Sequence, residues 1–284
     1  MTLFDKFLRI RELGIFSIIV VFVIVAAIID PRFMTMDSWR AVFLAIPLIL
    51  VMAMGQMMVI ICRHVDISIG SILAFSAIVI GLLYIQFPGL SLWLSLVITA
   101  FVGLIMGLIN GFIVTRFNVH SIIVTLGTLS LYRGLVFIVS GGRQIDRNDI
   151  PEHVVAFSQT SFLFSIPAIL IFSAVIVIIT HLVMRHSVLG REIYATGSNP
   201  IAAHLKGINV TKVTLFCFGV CGMLAGVAGL FYASRFGYVN PGVTGVGIEF
   251  IVIAGVIIGG TSITGGSGSV LGTFLGILLL GIIN

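Results

Sequence analysis

Residues 41–74 read AVFLAIPLILVMAMGQMMVIICRHVDISIGSILA. From Ala41 to Cys62 there is no charged side chain. Such a run is long enough for a helix to cross a hydrocarbon core about 30 Å thick. Its apolar residues are continuous, whereas a membrane barrel strand alternates over about ten residues. Arg63-His64-Val65-Asp66 then interrupts the run, and the chain turns apolar again almost at once. Two spanning helices joined by hardly any loop are therefore expected here, with charges and hydroxyls at their junction.

The rest of the chain repeats the pattern. Of 284 residues, 59% are hydrophobic and 9% charged, where a soluble domain carries about 25% charge. Lipid is the one solvent that such a surface suits. Spans are expected at about 13–29, 41–62, 67–87, 91–115, 119–140, 162–183, 213–234, 248–264 and 270–283. The first follows Lys6, Arg9 and Arg11 and runs into Asp30-Pro31-Arg32, so it reads as a retained span rather than a cleaved signal. The chain is thus an all-α polytopic membrane protein. It forms one domain over 1–284, with two larger connections at 141–161 and 184–212.

With the N-terminus in the cytoplasm, the inner side holds Lys6, Arg9, Arg11, Arg63, Arg116, Arg185, Arg191, Lys206 and Lys212. The other side holds Arg32, Arg40, Arg143, Arg147 and Arg235. The bias fits the positive-inside rule. The net charge of +5 is not gathered on a soluble domain, so no nucleic-acid partner is expected. Cys62, Cys217 and Cys221 lie in apolar runs without metal spacing, so no metal is expected. There is no phosphate loop, zinc helix or nucleophile elbow, hence no catalytic residue and no cofactor in this chain.

Polar groups at membrane depth are costly and draw attention. Asp66 and Ser68, beside Gly70, line a pathway or gate, or cap the next helix. Gln56 and Asn110 either join that pathway or bond helix to helix. Thr125 and Thr128 either line the same pathway or gate or bond back to their own helix. Arg133 either snorkels, pairs structurally or faces the pathway. Glu249 either suits a helix N-terminus or meets a partner at the outer mouth, where Arg143 and Arg147 also lie. Small-residue pairs Gly103/Gly107, Gly222/Gly226, Gly255/Gly259 and Gly272/Gly276 license tight crossings.

The inner connection contains Asn199-Pro200, an N-cap followed by Pro at the first helical position. A short helix then stops at Gly207. It either docks on another protein or is a solvated connector.

This connection carries Ala195, Gly197, Asn199, Ala202, Ala203, Gly207 and Ile208. Val65–Ser71, Gly107–Gly111, Thr125–Gly134 and Gly259–Gly268 follow the same family order. Together they resemble permease subunits of the ribose/xylose/rhamnose/autoinducer-2 branch of bacterial ABC importers. Cys62-Arg63-His64, Leu131-Tyr132-Arg133 and Tyr194–Gly197 are most similar to the autoinducer-2 and rhamnose types. His64 and Asn118–Ser121 depart from the pattern.

The resemblance implies an inverted-repeat type II importer permease of about ten spans in the inner membrane, of which nine are present. The last is expected to be missing beyond Asn284. Gly107-Leu108-Ile109-Asn110 and Gly281-Ile282-Ile283-Asn284 would be corresponding ends of the two repeats. It also implies a permease homodimer or heterodimer, a binding protein delivering a sugar-like substrate, and ATPase subunits that hold ATP and Mg. The 184–212 connection would couple to the ATPase through Gly197, Asn199, Ala202, Ala203, Lys206 and Gly207. A stand-alone secondary transporter or channel is the alternative, and an intramembrane enzyme is disfavoured because no nucleophile–base pair is evident.

Overall fold

The computed structural model describes residues 11–160 and 167–283, and they are helical throughout the apolar runs. In chain order the helices are α1 Arg11–Ile29, α2 Met36–Ile61, α3 Ile69–Gln86, α4 Leu92–Phe117, α5 Ser121–Ser140, α6 Glu152–Gln159, α7 Ala168–His186, α8 Val188–Ser198, α9 Pro200–Leu205, α10 Val210–Phe236, α11 Ile248–Ile258 and α12 Val270–Ile283. Seven of them, α1 to α5, α7 and α10, are long and apolar enough to cross a membrane. α11 and α12 are apolar but shorter, with 11 and 14 residues. Seven of the nine expected spans are thus helices of spanning length, and the eighth and ninth are shorter apolar helices. Residues 162–166 of the sixth expected span, Lys6, Arg9 and Asn284 lie outside the described residues.

Two boundaries differ from expectation. The eighth span ends at Ile258 rather than near Thr264. Gly260, Gly265 and Gly266 have positive φ, so the chain there is an irregular glycine loop. The 184–212 connection holds two helices, α8 and α9, instead of one. α8 went unnoticed because Gly190 and Gly197 are poor helix formers and Ile193, Tyr194 and Thr196 are only middling ones.

α2 and α10 form the centre. From Leu50 to Ile61, α2 is buried on every face, and α10 is buried along most of its length. α10 packs on α2, α3 and α4, while α1 is peripheral against α12. Where lipid gives no hydrophobic drive between helices, close backbone approach supplies the packing. The glycine pairs do this in complementary sets. A Cβ on Gly103 of α4 would meet the Gly222 carbonyl oxygen and come within 2.9 Å of Gly226 Cα. A Cβ on Gly222 of α10 would lie 2.7 Å from Gly107 Cα. Likewise Gly276 of α12 faces the Gly255 carbonyl oxygen and Gly259.

Two long helices each end in a break. α2 leads through Cys62–Ser68 into α3, and α10 leads through Gly237–Gly247 into α11. The breaks touch: a Cβ on Gly70 would meet the Gly245 carbonyl oxygen and the Glu249 carboxylate. Discontinuous helices at matching places in two halves are a hallmark of inverted-repeat transporters.

The glycine contacts generate a test. Gly222→Ala should destabilise the chain by about 1–3 kcal/mol, because the added methyl meets backbone that cannot yield. Gly127→Ala, at a lipid-facing site with nothing within 4 Å, should cause no loss. Unfolding of the purified chain in graded detergent mixtures measures both.

Candidate functional site

The site is built on the first break. α2 closes with Arg63 N–H donating to the Ile60 carbonyl and His64 N–H to the Val59 carbonyl. Arg63 sits in the left-handed region at φ +67, unusual for a residue other than glycine. Val65 to Ile67 are then non-helical and carry Asp66 into the protein, fully buried.

Every oxygen of Asp66 finds a donor. Its Oδ1 accepts from Ser68 N–H at 2.9 Å and from the Ser68 hydroxyl at 2.7 Å. The Asn110 amide donates to Asp66 Oδ2 at 3.2 Å and to Ser68 Oγ at 2.8 Å. Tyr132 Oη lies 3.1 Å from Asn110 Oδ1 and 2.9 Å from the Met106 carbonyl. The Gln56 amide bridges the Asp66 backbone, donating to its carbonyl and accepting from its N–H, both at 3.2 Å. Val65 N–H donates to Ser121 Oγ, and the Thr125 hydroxyl reaches the Val65 carbonyl at 3.3 Å. Four helices, α2, α3, α4 and α5, are thus tied to the Val65–Ser68 break, two of them through the Asp66 carboxyl group.

The expected residues sort as follows. Gln56, Asp66, Ser68, Asn110 and Thr125 come together. Thr128 does not join them; it bonds back to Thr125 of its own helix. Arg133 is elsewhere, donating from Nη1 to the Thr244 carbonyl at 2.7 Å and the Pro241 carbonyl at 3.4 Å, so it staples α5 to the second break. Glu249 is 6% exposed, turned inward against Gly70 rather than to the surface. Arg143 pairs with Asp149 at 3.4 Å on the exposed loop, and Arg147 donates to the Ile150 carbonyl. Tyr132 and Ser121 were missed. A Tyr inside a span needs a partner for its hydroxyl, and that was the available signal for Tyr132.

His64 packs against Phe218 with its ring tilted 50° and the ring centroids 5.8 Å apart. It lies in the connection after α2. Burial, and then the neighbouring His120, push its pKa down to about 4, so the ring is neutral at ordinary pH.

A second layer lies beyond Arg63. Ser187 caps α8 by accepting from Gly190 N–H, and Asn199 caps α9 by accepting from Ala202 N–H. Gly207 ends the segment at φ +86. Arg63 Nε donates to the Gly197 carbonyl at 2.5 Å and Nη2 to the Ser198 carbonyl at 2.6 Å. The guanidinium therefore serves the open C-terminal carbonyls of α8, where a cation is favoured. Gly266 N–H donates to the Ile61 carbonyl, and Tyr194 Oη to the Gly268 carbonyl. Burial pushes the Tyr194 phenol above its ordinary range. A Cβ on Gly197 would meet the Ile61 carbonyl oxygen, so only glycine fits that seat.

Gly197 and Ala203 face inward, while Asn199, Ala202, Lys206 and Gly207 are exposed. The outward apolar residues are Ile201 and Leu205, 76% and 81% exposed and four apart on α9, so they share one face. Sequence reasoning passed over them because an apolar residue in an apolar chain carries no signal until its exposure is known.

A double replacement separates the charge from the contact. Asn110→Leu should cost about 1–3 kcal/mol, because it removes the donor to Asp66 Oδ2 and the donor to Ser68 Oγ from a buried site. Adding Asp66→Asn should recover part of that loss in the same detergent unfolding measurement.

Residues 40–284 match the family described as branched-chain amino acid transport system / permease component. The chain is 34% identical over 253 residues to the autoinducer 2 import system permease protein of Yersinia enterocolitica, covering 89% of this chain and 69% of that one. It is 33% identical to the same-named proteins of Yersinia pseudotuberculosis and Yersinia pestis, covering 89% and 70%. No solved structure matches it. The chain belongs to this permease family: it is a multi-pass membrane transport component.

Proposed function

We propose that this permease component is the membrane-spanning subunit of an ABC importer in the bacterial inner membrane. Its cargo is autoinducer-2 or a similar small sugar-like molecule, received from an extracytoplasmic binding protein. The relatives named as autoinducer 2 import permeases support that substrate class. Two permeases, alike or different, stand on a pair of ATPases that hold ATP and Mg. The end bearing Arg63, Arg116 and Lys212 faces the cytoplasm, in keeping with the positive-inside rule.

The observation that carries this reading is the exposed Ile201–Leu205 face on a capped helix whose base is stapled to the first break. α9 seats on the ATPase. α8 transmits its movement, because Arg63 holds the last carbonyls of α8 on one side and leads within three residues to Asp66 on the other. Displacing the break displaces the start of α3, where it meets the second break at Gly70, Gly245 and Glu249. Opening this contact between the two breaks admits the solute. Arg143 and Arg147 lie on the exposed loop of the opposite end and meet the binding protein.

Reconstitution with the ATPase and binding protein in proteoliposomes tests this. Ile201→Asp with Leu205→Asp should reduce binding-protein-stimulated ATP hydrolysis at least tenfold while the chain still inserts. Arg63→Ala should keep ATPase binding but lower solute moved per ATP hydrolysed. Unchanged coupling in both would refute the assignment. Uptake of autoinducer-2 compared with ribose and rhamnose identifies the cargo.

A further inference from the structure

A groove of about 500 Å³ opens on the lipid-facing side between α4, α7 and α10. Its floor is Met58 of α2 and Gly219 of α10, and its walls include Leu104, Leu108, Ile176 and Phe216. The groove exists because Gly219 has no side chain; a Cβ there would come within 3.0 Å of Leu108 and 3.2 Å of Leu104. The long axis follows the helices, with lining residues repeating at three and four positions, so the slot suits an extended chain rather than a compact solute.

The charge on the three bordering helices is all basic. None carries a carboxylate anywhere along its length. Their ends on one side carry Arg116, Arg185, His186 and Lys212, all exposed. Lys212 lies one turn beyond Phe216, on the stripe that lines the groove. Among the described residues no ion pair engages these four, the Arg143–Asp149 pair lying in another loop. The apolar slot thus runs toward a helix end whose exposed residues are basic and have no ion-pair partner among the described residues.

We infer that this groove is a binding site for an anionic phospholipid, its acyl chain in the slot and its phosphate among Lys212, Arg116 and His186. Basic pockets between membrane helices recognise acidic headgroups in this way. A second copy of the chain is a poorer occupant. Meeting here about a two-fold axis along the membrane normal, two copies would bring the same cations toward each other. Because Lys212 follows the α8–α9 segment directly, a bound headgroup steadies the base of that segment.

Native mass spectrometry of the purified full chain, loaded with dioleoylphosphatidylglycerol or dioleoylphosphatidylcholine, tests the site. The anionic lipid should be retained preferentially. Arg116→Gln with Lys212→Gln should lower that preference roughly tenfold or more, since each cation is worth about fivefold in attraction to an acidic surface. Val220→Phe, which fills the slot, should lower retention of both lipids with the helical content unchanged. Equal retention of the two lipids by the unaltered chain overturns the inference, as does a preference that survives the double change. A loss of dimer mass in Val220→Phe at constant lipid count also overturns it and assigns the groove to a second copy.

Discussion

Everything in this fold depends on how the start of α3 is satisfied within the bundle. A helix leaves its first backbone N–H groups without partners, and lipid offers none. The Ser68 hydroxyl does not cap the helix; it turns to Asp66 Oδ1, and that carboxyl oxygen accepts the Ser68 N–H instead. Asp66 is itself a liability unless donors surround it, since a buried charge without partners is among the costliest groups a protein can hold. Asn110, Ser68 and Tyr132 therefore follow from Asp66, and Gln56 follows from the non-helical backbone at the same residue. One break in one helix specifies polar side chains on three neighbours.

That arrangement demands that α4 and α10 stay fixed, because Asn110 must reach across from α4. The Gly103/Gly107 and Gly222/Gly226 pairs do this by bringing the two backbones into contact a turn or two from Asn110. A methyl group at any of them would push α4 outward, and hydrogen bonds lengthened by even half an ångström weaken steeply. The packing glycines and the polar joint are thus one mechanical unit. The Gly255/Gly259 and Gly272/Gly276 set plays the same part for α11, holding the second break against the first.

Much of this could be read beforehand, for physical reasons that differ from element to element. The spans were legible because continuous apolar runs have few other uses. Asn199-Pro200 and Gly207 were legible because caps act through local geometry. Asp66, Ser68, Asn110 and Gln56 stood out because polar groups are scarce in such a chain, although which of them meet is a matter of tertiary distance. Arg133 and Glu249 could be noticed but not placed: both serve the irregular 237–247 segment, whose path no periodicity describes. The exposure of Ile201 and Leu205 was beyond reach, since apolar residues on a docking face and in a core look the same in a sequence.

Arg63 shows how one position answers two demands. After α2 the chain must turn sharply, and the left-handed conformation that does so is one in which glycine is unstrained. Glycine at 63 would relieve the turn at φ +67 but leave the Gly197 and Ser198 carbonyls without their donors. An arginine elsewhere could reach those carbonyls without linking them to Asp66. Only a residue that makes the turn and also carries a long cationic fork joins the end of α8 to the buried carboxyl three residues on. The backbone strain, of order 1 kcal/mol, is offset by two charge-assisted hydrogen bonds. Those bonds make the junction stiff, and stiffness is what allows a displacement of α8 to arrive at α3 instead of being absorbed between them.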